Sequence, residues 1–122
     1  GIAAVFRKKF PKSNNEYSQY CHKNSNLLGT SFIIESDQPN ILIACLFTSD
    51  FNQTPEQIVH FTKQSIADLA RKVSDYKEVE KCDGKVAINM PKINAGIFGV
   101  PWEDTELALQ EFDNLHFNVY VI

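Results

Sequence analysis

The sequence has no Cys-x-x-Cys pair, no long apolar run and no strong excess of either charge. Cys21, Cys45 and Cys82 are too few and too scattered for a disulfide framework. They read as reduced thiols of a cytosolic or nuclear protein. Cys45 lies within an apolar run and is expected to pack as a small hydrophobe. His22, His60 and His116 stand far apart, and no second pair supports the adjacent Cys21 and His22, so no metal site is expected. The longest apolar run, Ile41 to Phe47, has seven residues. A membrane-crossing helix needs about 20, and no secretory signal is expected. Lys and Arg number 12 against 15 Asp and Glu, a net charge of −3. That balance argues against a nucleic-acid module held by bulk charge. Five glycines and five prolines exclude collagen-like and low-complexity chains.

What remains is ordinary globular material. The 122 residues suit one domain, and 43% apolar against 22% charged residues argues against intrinsic disorder. Ile2, Phe6 and Phe10 recur every four residues, which predicts a helix over 1–10. Because that pattern is already running at Gly1, a further segment is expected ahead of it. Pro11 ends this helix, and Ser13-Asn14-Asn15-Glu16 reads as the capping box of a second helix reaching about Lys23. Gly29 to Glu35 reads as a strand, and Asp37-Gln38-Pro39-Asn40 as the turn of an antiparallel hairpin. Ile41 to Phe47 does not alternate, so it is expected as an inner strand buried on both faces. Thr54-Pro55-Glu56-Gln57 opens the longest helix, with a stripe of Val59, Thr62, Ile66, Leu69, Ala70 and Val73. Lys77 to Gly84 reads as charged loop and Lys85 to Met90 as a strand. A helix from Pro101 and a strand from Phe117 to Ile122 complete the chain. The order predicts a three-layer α/β/α domain with a mixed central sheet.

Ligands of open α/β sheets bind outside the carboxyl ends of the strands. Two stretches qualify. Gly1-Ile2-Ala3 sits at a helix N-terminus, whose free N–H groups and dipole suit a phosphate. Asn94-Ala95-Gly96-Ile97-Phe98-Gly99 joins a strand to a helix, and its glycines allow close backbone approach to a ligand. Read alone, this second stretch fits better a plain connector whose Ile97 and Phe98 join the core.

The run Met90-Pro91-Lys92-Ile93-Asn94-Ala95-Gly96-Ile97-Phe98-Gly99-Val100-Pro101-Trp102-Glu103 resembles the second ligand loop of macrodomains. It is most similar to the fungal ADP-ribose 1″-phosphate phosphatase branch, which is itself similar to the terminal ADP-ribose protein glycohydrolase of animals. Gly1 to Pro11 resembles the end of the first ligand loop and the helix after it. Leu27-Leu28-Gly29, Cys45 to Ser49 and Val119-Tyr120 fit the same branch in the same order. The likeness spans residues 1–122 as one macrodomain without its usual first strands and the start of its first ligand loop.

The resemblance implies a three-layer α/β/α macrodomain with a mixed sheet that binds ADP-ribose without cofactor or metal. Backbone groups of Gly1, Ile2 and Ala3 would meet the diphosphate and distal ribose from one side. Those of Ile93, Asn94, Ala95, Gly96, Ile97, Phe98 and Gly99 would meet them from the other, with Phe98 against the distal ribose. Tyr120 or Ile122 would contact adenine; the alternative for Tyr120 is a half-buried strand tyrosine. Trp102 is expected on the core face of its helix. The implied activity is hydrolysis of ADP-ribose 1″-phosphate, a by-product of tRNA splicing, by a monomer that binds neither nucleic acid nor membrane. The resemblance places the residues acting on the phosphate largely ahead of Gly1, so it names no catalytic residue here. A reader that binds without turnover is the alternative, and a glycohydrolase with another constellation is a third. The lysine and aspartate of the animal glycohydrolase match Ser49 and Phe98, neither of which can replace them. Asp50 is a possible general base, with a solvated loop residue as its default reading.

Overall fold

The computed structural model describes residues 2–96 and 98–120, so expectations for Gly1, Ile97 and Ile122 lie outside the described residues. The elements are α1 (Ile2–Lys9), α2 (Pro11–Lys23), β1 (Ser31–Glu35), β2 (Leu42–Leu46), α3 (Pro55–Val73), β3 (Lys81–Cys82), β4 (Lys85–Pro91), α4 (Trp102–Leu109) and β5 (Leu115–Tyr120). Strands β1 and β2 form an antiparallel hairpin, with Glu35 opposite Leu42. Strand β4 pairs antiparallel with β3 and parallel with β5, so the strand directions are mixed.

Adjacent residues of a strand face opposite sides of its sheet. On β1, the Phe32 ring stacks on Tyr20 of α2 at 3.8 Å, while Ser31 bonds to Asp68 of α3. Helices α2 and α3 therefore cover opposite faces of the hairpin, as a three-layer domain requires. Ile66 of α3, Met90 of β4, Leu109 of α4 and Leu115 of β5 form the main core, against which Ile93, Trp102 and Phe117 pack. Trp102 thus takes its expected core position. Among the described residues, no helix is long and apolar enough to cross a membrane.

The cap of α3 forms as its sequence predicts. Gln57 donates its N–H to the Thr54 hydroxyl at 3.2 Å, and Thr54 donates its N–H to Gln57 Oε1 at 2.9 Å. The cap of α2 does not. Pro11 opens that helix, and Ser13 lies inside its first turn. A proline lacks the N–H that would be left free there, so it can both end α1 and begin α2. The capping acceptor is Asp37, from the β1–β2 turn. It accepts from the N–H groups of Lys12 and Ser13 at 3.0 and 2.8 Å, and from the Ser13 hydroxyl at 2.6 Å. The Ser13 hydroxyl bond leads the causes that lower the Asp37 pKa.

Two further expectations are corrected. The charged stretch 77–84 contains strand β3, turned onto β4 through Asp83 and Gly84, both with positive φ. Asp-Gly is the residue pair that such a two-residue hairpin favours. Residues 41–47 are not buried on both faces: Ile41 and Leu42 are exposed, and among the described residues β2 pairs only with β1. An apolar slot of about 510 Å³ separates β2 from β4, lined by Ile33, Ile43, Leu46, Ile66, Ile88 and Met90 among others. The run is apolar on both sides, but one edge faces this opening and not a neighbouring strand.

Asp68 ties α3 to the start of the hairpin. It accepts from the N–H and hydroxyl of Ser31 at 2.8 and 2.9 Å and pairs with Lys72 at 2.8 Å and Arg71 at 2.7 Å. Lys72 also donates to the Ser31 carbonyl. Burial alone would raise the Asp68 pKa, but the bonds from Lys72 and Ser31 outweigh it and hold the carboxyl down at about 2, against an ordinary 3.8. A carboxyl depressed in the folded state stabilises above its unfolded pKa, and that contribution fades as pH falls through the folded value. Thermal melts should therefore show the parent more stable than Asp68→Asn at neutral pH, with the gap closing between about pH 4 and 2. A gap independent of pH would show that the carboxylate charge contributes nothing.

Candidate functional site

Parallel pairing of β4 with β5 sets Pro91 beside Tyr120, so both strands end at the same edge. The segment leaving β2 reaches that edge too, because the Thr48 hydroxyl donates to Asn94 Oδ1 at 3.3 Å. The carboxyl ends of three strands therefore converge, the general location of ligand sites in open α/β sheets.

The loop after β4 is built around Asn94. Its φ of 67° lies in the left-handed region, where asparagine is among the few tolerated side chains. Its side chain is buried and fully used. Nδ2 donates to Thr62 Oγ1 of α3 at 3.0 Å and to Thr105 Oγ1 of α4 at 3.4 Å. Thr62 in turn donates to the Ile58 carbonyl at 2.7 Å. One amide thus joins the end of β2, α3, α4 and the loop. The main chain closes the loop above it: Val100 donates to the Asn94 carbonyl and Gly99 to the Gly96 carbonyl, each at 3.0 Å. Ala95 and Gly96 are exposed on its outer side.

The two glycines differ in kind. Gly99 has φ of 66° and needs glycine for its conformation. Gly96 lies outside the left-handed region, and a Cβ added there meets nothing within 4 Å. Glycine at 96 is therefore not required by backbone conformation; what it leaves is the open space a side chain would fill. Phe98 does not join the buried core. It is half-buried at the loop's rim, its ring 5.2 Å from that of Phe51. Ile93 packs on the core, so only its main chain can face a ligand.

Tyr120 ends β5 with 58% of its surface exposed, more open than a half-buried strand tyrosine. Ile2 and Ala3 lie in the first turn of α1, where helical N–H groups have no intrahelical acceptor. Among the described residues, no hydrogen bond joins them to the Asn94 loop. Ser49 and Asp50 follow β2 at the same edge but are engaged locally. The Ser49 hydroxyl donates to Gln53 Oε1 at 3.1 Å, and Asp50 accepts from the Asn52 N–H and side-chain amide at 3.3 and 3.2 Å. A side-chain bond with Gln53 leads the causes that lower the Asp50 pKa, which makes it a weaker base. Cys45 is a half-buried thiol pushed up to about 12 by desolvation, consistent with packing as a hydrophobe. Among the described residues, no group of three or more His, Cys, Asp or Glu could hold a metal ion.

Besides the threonine hydroxyls around Asn94, sequence reasoning missed Phe51, whose ring meets that of Phe98. It is 75% exposed with φ of 75°, a conformation bulky residues seldom adopt. Its signal was a lone aromatic among turn-forming polar residues, Ser49-Asp50-Phe51-Asn52.

The Asn94 bonds predict an ordered pair of variants. Asn94→Gly keeps the backbone conformation but removes the amide, and should lower unfolding free energy by about 1–3 kcal/mol. Asn94→Ala should cost more, because it adds left-handed strain. Urea denaturation measures both; a parent-like Asn94→Gly would show that the amide bonds contribute no net stability.

The sequence pattern of the Macro domain family matches residues 1–109. An "ADP-ribose 1″-phosphate phosphatase" of Candida albicans is 99% identical over all of this chain, which spans 78% of that protein. A protein of the same name from Lodderomyces elongisporus is 58% identical over the whole chain, again covering 78% of the relative. One from Saccharomyces cerevisiae is 34% identical over 98% of the chain and 80% of the relative. Among solved structures, the macrodomain of Mycobacterium tuberculosis DarG superposes with a TM-score of 0.76 at 21% identity, covering 98% of this chain and 78% of that one. The fold described above and these matches agree: the chain belongs to the Macro domain family.

Proposed function

We propose that residues 1–122 form one macrodomain that binds ADP-ribose derivatives where β2, β4 and β5 end, and that the protein hydrolyses ADP-ribose 1″-phosphate to ADP-ribose and phosphate. The observation that carries this reading is the Asn94–Gly99 loop, fixed from below by a buried amide and exposed above at Ala95 and Gly96. The phosphatase name shared by relatives at 99% and 58% identity supports the reaction.

The mechanism follows from charge. Hydrolysis forms a bond from water oxygen to phosphorus and breaks the bond from phosphorus to the ribose oxygen, which leaves with a proton. Charge on the transferred group and diphosphate is best met by fixed N–H donors, which need no reorganisation during reaction. Main-chain N–H groups of Ile2 and Ala3 on one side, and of Asn94, Ala95, Gly96 and Phe98 on the other, would supply them, while Gly99, whose own N–H is bonded to the Gly96 carbonyl, lines the same approach. Phe98 would pack on the distal ribose and Tyr120 on adenine. Gly1, Ile97 and Ile122 belong to the same proposed set. Asp50 is a poor candidate base, since its pKa is lowered and its oxygens are engaged by Asn52. Ser49 cannot act as a Schiff-base nucleophile, which removes the lysine-dependent glycohydrolase route. The protein is proposed to act as a monomer in the cytosol or nucleus, without cofactor, metal, nucleic acid or membrane.

Calorimetry on the full-length protein should show ADP-ribose binding far more tightly than AMP, because both loops address the diphosphate and distal ribose. Equal affinities would remove the site assignment. Gly96→Val should melt like the parent, since the added side chain meets open space. Its ADP-ribose affinity and phosphate release should fall by at least about tenfold, as the side chain occupies the approach to the N–H groups. If Gly96→Val binds and turns over like the parent, the loop is only a connector.

A further inference from the structure

The turn after β2 has a shape that its own stability does not explain. Phe51 sits at its tip with φ of 75° and three-quarters of its surface in water. Both features oppose folding: left-handed φ crowds a bulky side chain, and an exposed ring gains nothing from burial. Yet the turn is held firmly. Phe51 donates its N–H to Ser49 Oγ at 3.1 Å, and Asp50 donates its N–H to Gln53 Oε1 at 2.9 Å. Asn52 bonds to Asp50 on the other side of the ring's attachment. Four polar side chains thus fix one apolar ring in a strained pose. That pose directs the ring to Phe98, 5.2 Å away with planes inclined at 48°. The two rings come from different strand ends, so their meeting is a tertiary arrangement and not a local accident. Strain held by surrounding bonds, at a site rim, is a common mark of a ligand-contacting residue.

We propose that Phe51 is a specificity-determining residue. Together with Phe98 it forms an aromatic corner that takes the apolar face of the distal ribose and excludes water from that end of the ligand. A ribose offers C–H groups on one face and hydroxyls on its edge, so two inclined rings can cover the face and leave the edge to hydrogen bonds. The inference rests on the proposed placement of the distal ribose against Phe98. It adds that ligands lacking this sugar receive no benefit from Phe51.

The test compares ADP-ribose with ADP, which shares the adenosine and diphosphate but lacks the distal ribose. Titrations use the full-length protein. Phe51→Ala should weaken ADP-ribose about three- to tenfold, the range expected for losing one aromatic contact, and leave ADP unchanged. Phe51→Tyr, which keeps the ring, should bind like the parent. Phe51→Gly separates function from fold: it relieves the left-handed strain, so its Tm should hold or rise while ADP-ribose affinity falls. The proposal is overturned if Phe51→Ala leaves ADP-ribose affinity unchanged, if it weakens ADP and ADP-ribose equally, or if Phe51→Gly lowers Tm and affinity together. Failure of the underlying site is a different result, in which the parent itself binds AMP as tightly as ADP-ribose.

Discussion

A buried amide must satisfy both its oxygen and its nitrogen, and Asn94 does so only while four parts of the fold stay where they are. Its oxygen accepts from Thr48 beyond β2, and its nitrogen donates to Thr62 of α3 and Thr105 of α4. Movement of any of these elements by an ångström or two would leave a polar group in the interior without a partner, at a cost comparable to a lost hydrogen bond. The loop above inherits that rigidity. The same residue also supplies the left-handed turn that starts the loop, a role usually left to glycine. Glycine could make the turn but could not anchor it.

The consequence reaches the main chain. N–H groups make useful anion donors only when fixed before the ligand arrives, since ordering a mobile loop would consume the gain. The loop meets this condition through polar bonds below and backbone bonds within, while Ala95 and Gly96 remain open. Polar anchoring beneath and an exposed backbone above are two parts of one design. Around it, apolar packing of Ile66, Met90, Leu109 and Leu115 holds the strand ends that carry the loops.

How much of this could be read from the residues depended on whether the governing contact was local. The α3 cap was readable because Thr54, Pro55 and Gln57 contain both partners within four residues. The α2 cap was not, because its acceptor, Asp37, lies 24 residues beyond Ser13 and folds back through the hairpin. Residues 41–47 were recognised as a strand from their apolar run. Their exposure was not, because continuous hydrophobicity reports what a strand could bury and not whether a neighbour pairs with its edge. Strand β3 was lost inside a charged stretch, although Asp83-Gly84 carried a hairpin signal. In the site, the Asn94–Gly99 stretch stood out because its small residues and its family resemblance sit in consecutive positions. The hydroxyls of Thr48, Thr62 and Thr105 come from separate elements, and no spacing rule connects them.

Recognition through backbone groups also sets what a residue list can say about chemistry. A main-chain N–H has the same character whichever side chain it carries, provided the chain can adopt the conformation. Identity is constrained where φ is left-handed, as at Gly99 and Asn94, and, in the proposed site, where a side chain would block an approach, as at Gly96. Side-chain chemistry then concentrates at the rim, where the ligand presents surfaces that N–H groups cannot distinguish. The aromatic rings of Phe51 and Phe98 lie at that rim, and neither carries a titratable group. Asp50 beside them is held ionised by its local bonds and is a weak base. On the proposed reading, these groups would hold and select an anionic sugar nucleotide. The proton transfers of hydrolysis call for a group with different electrostatics from those of the Ser49–Gln53 turn.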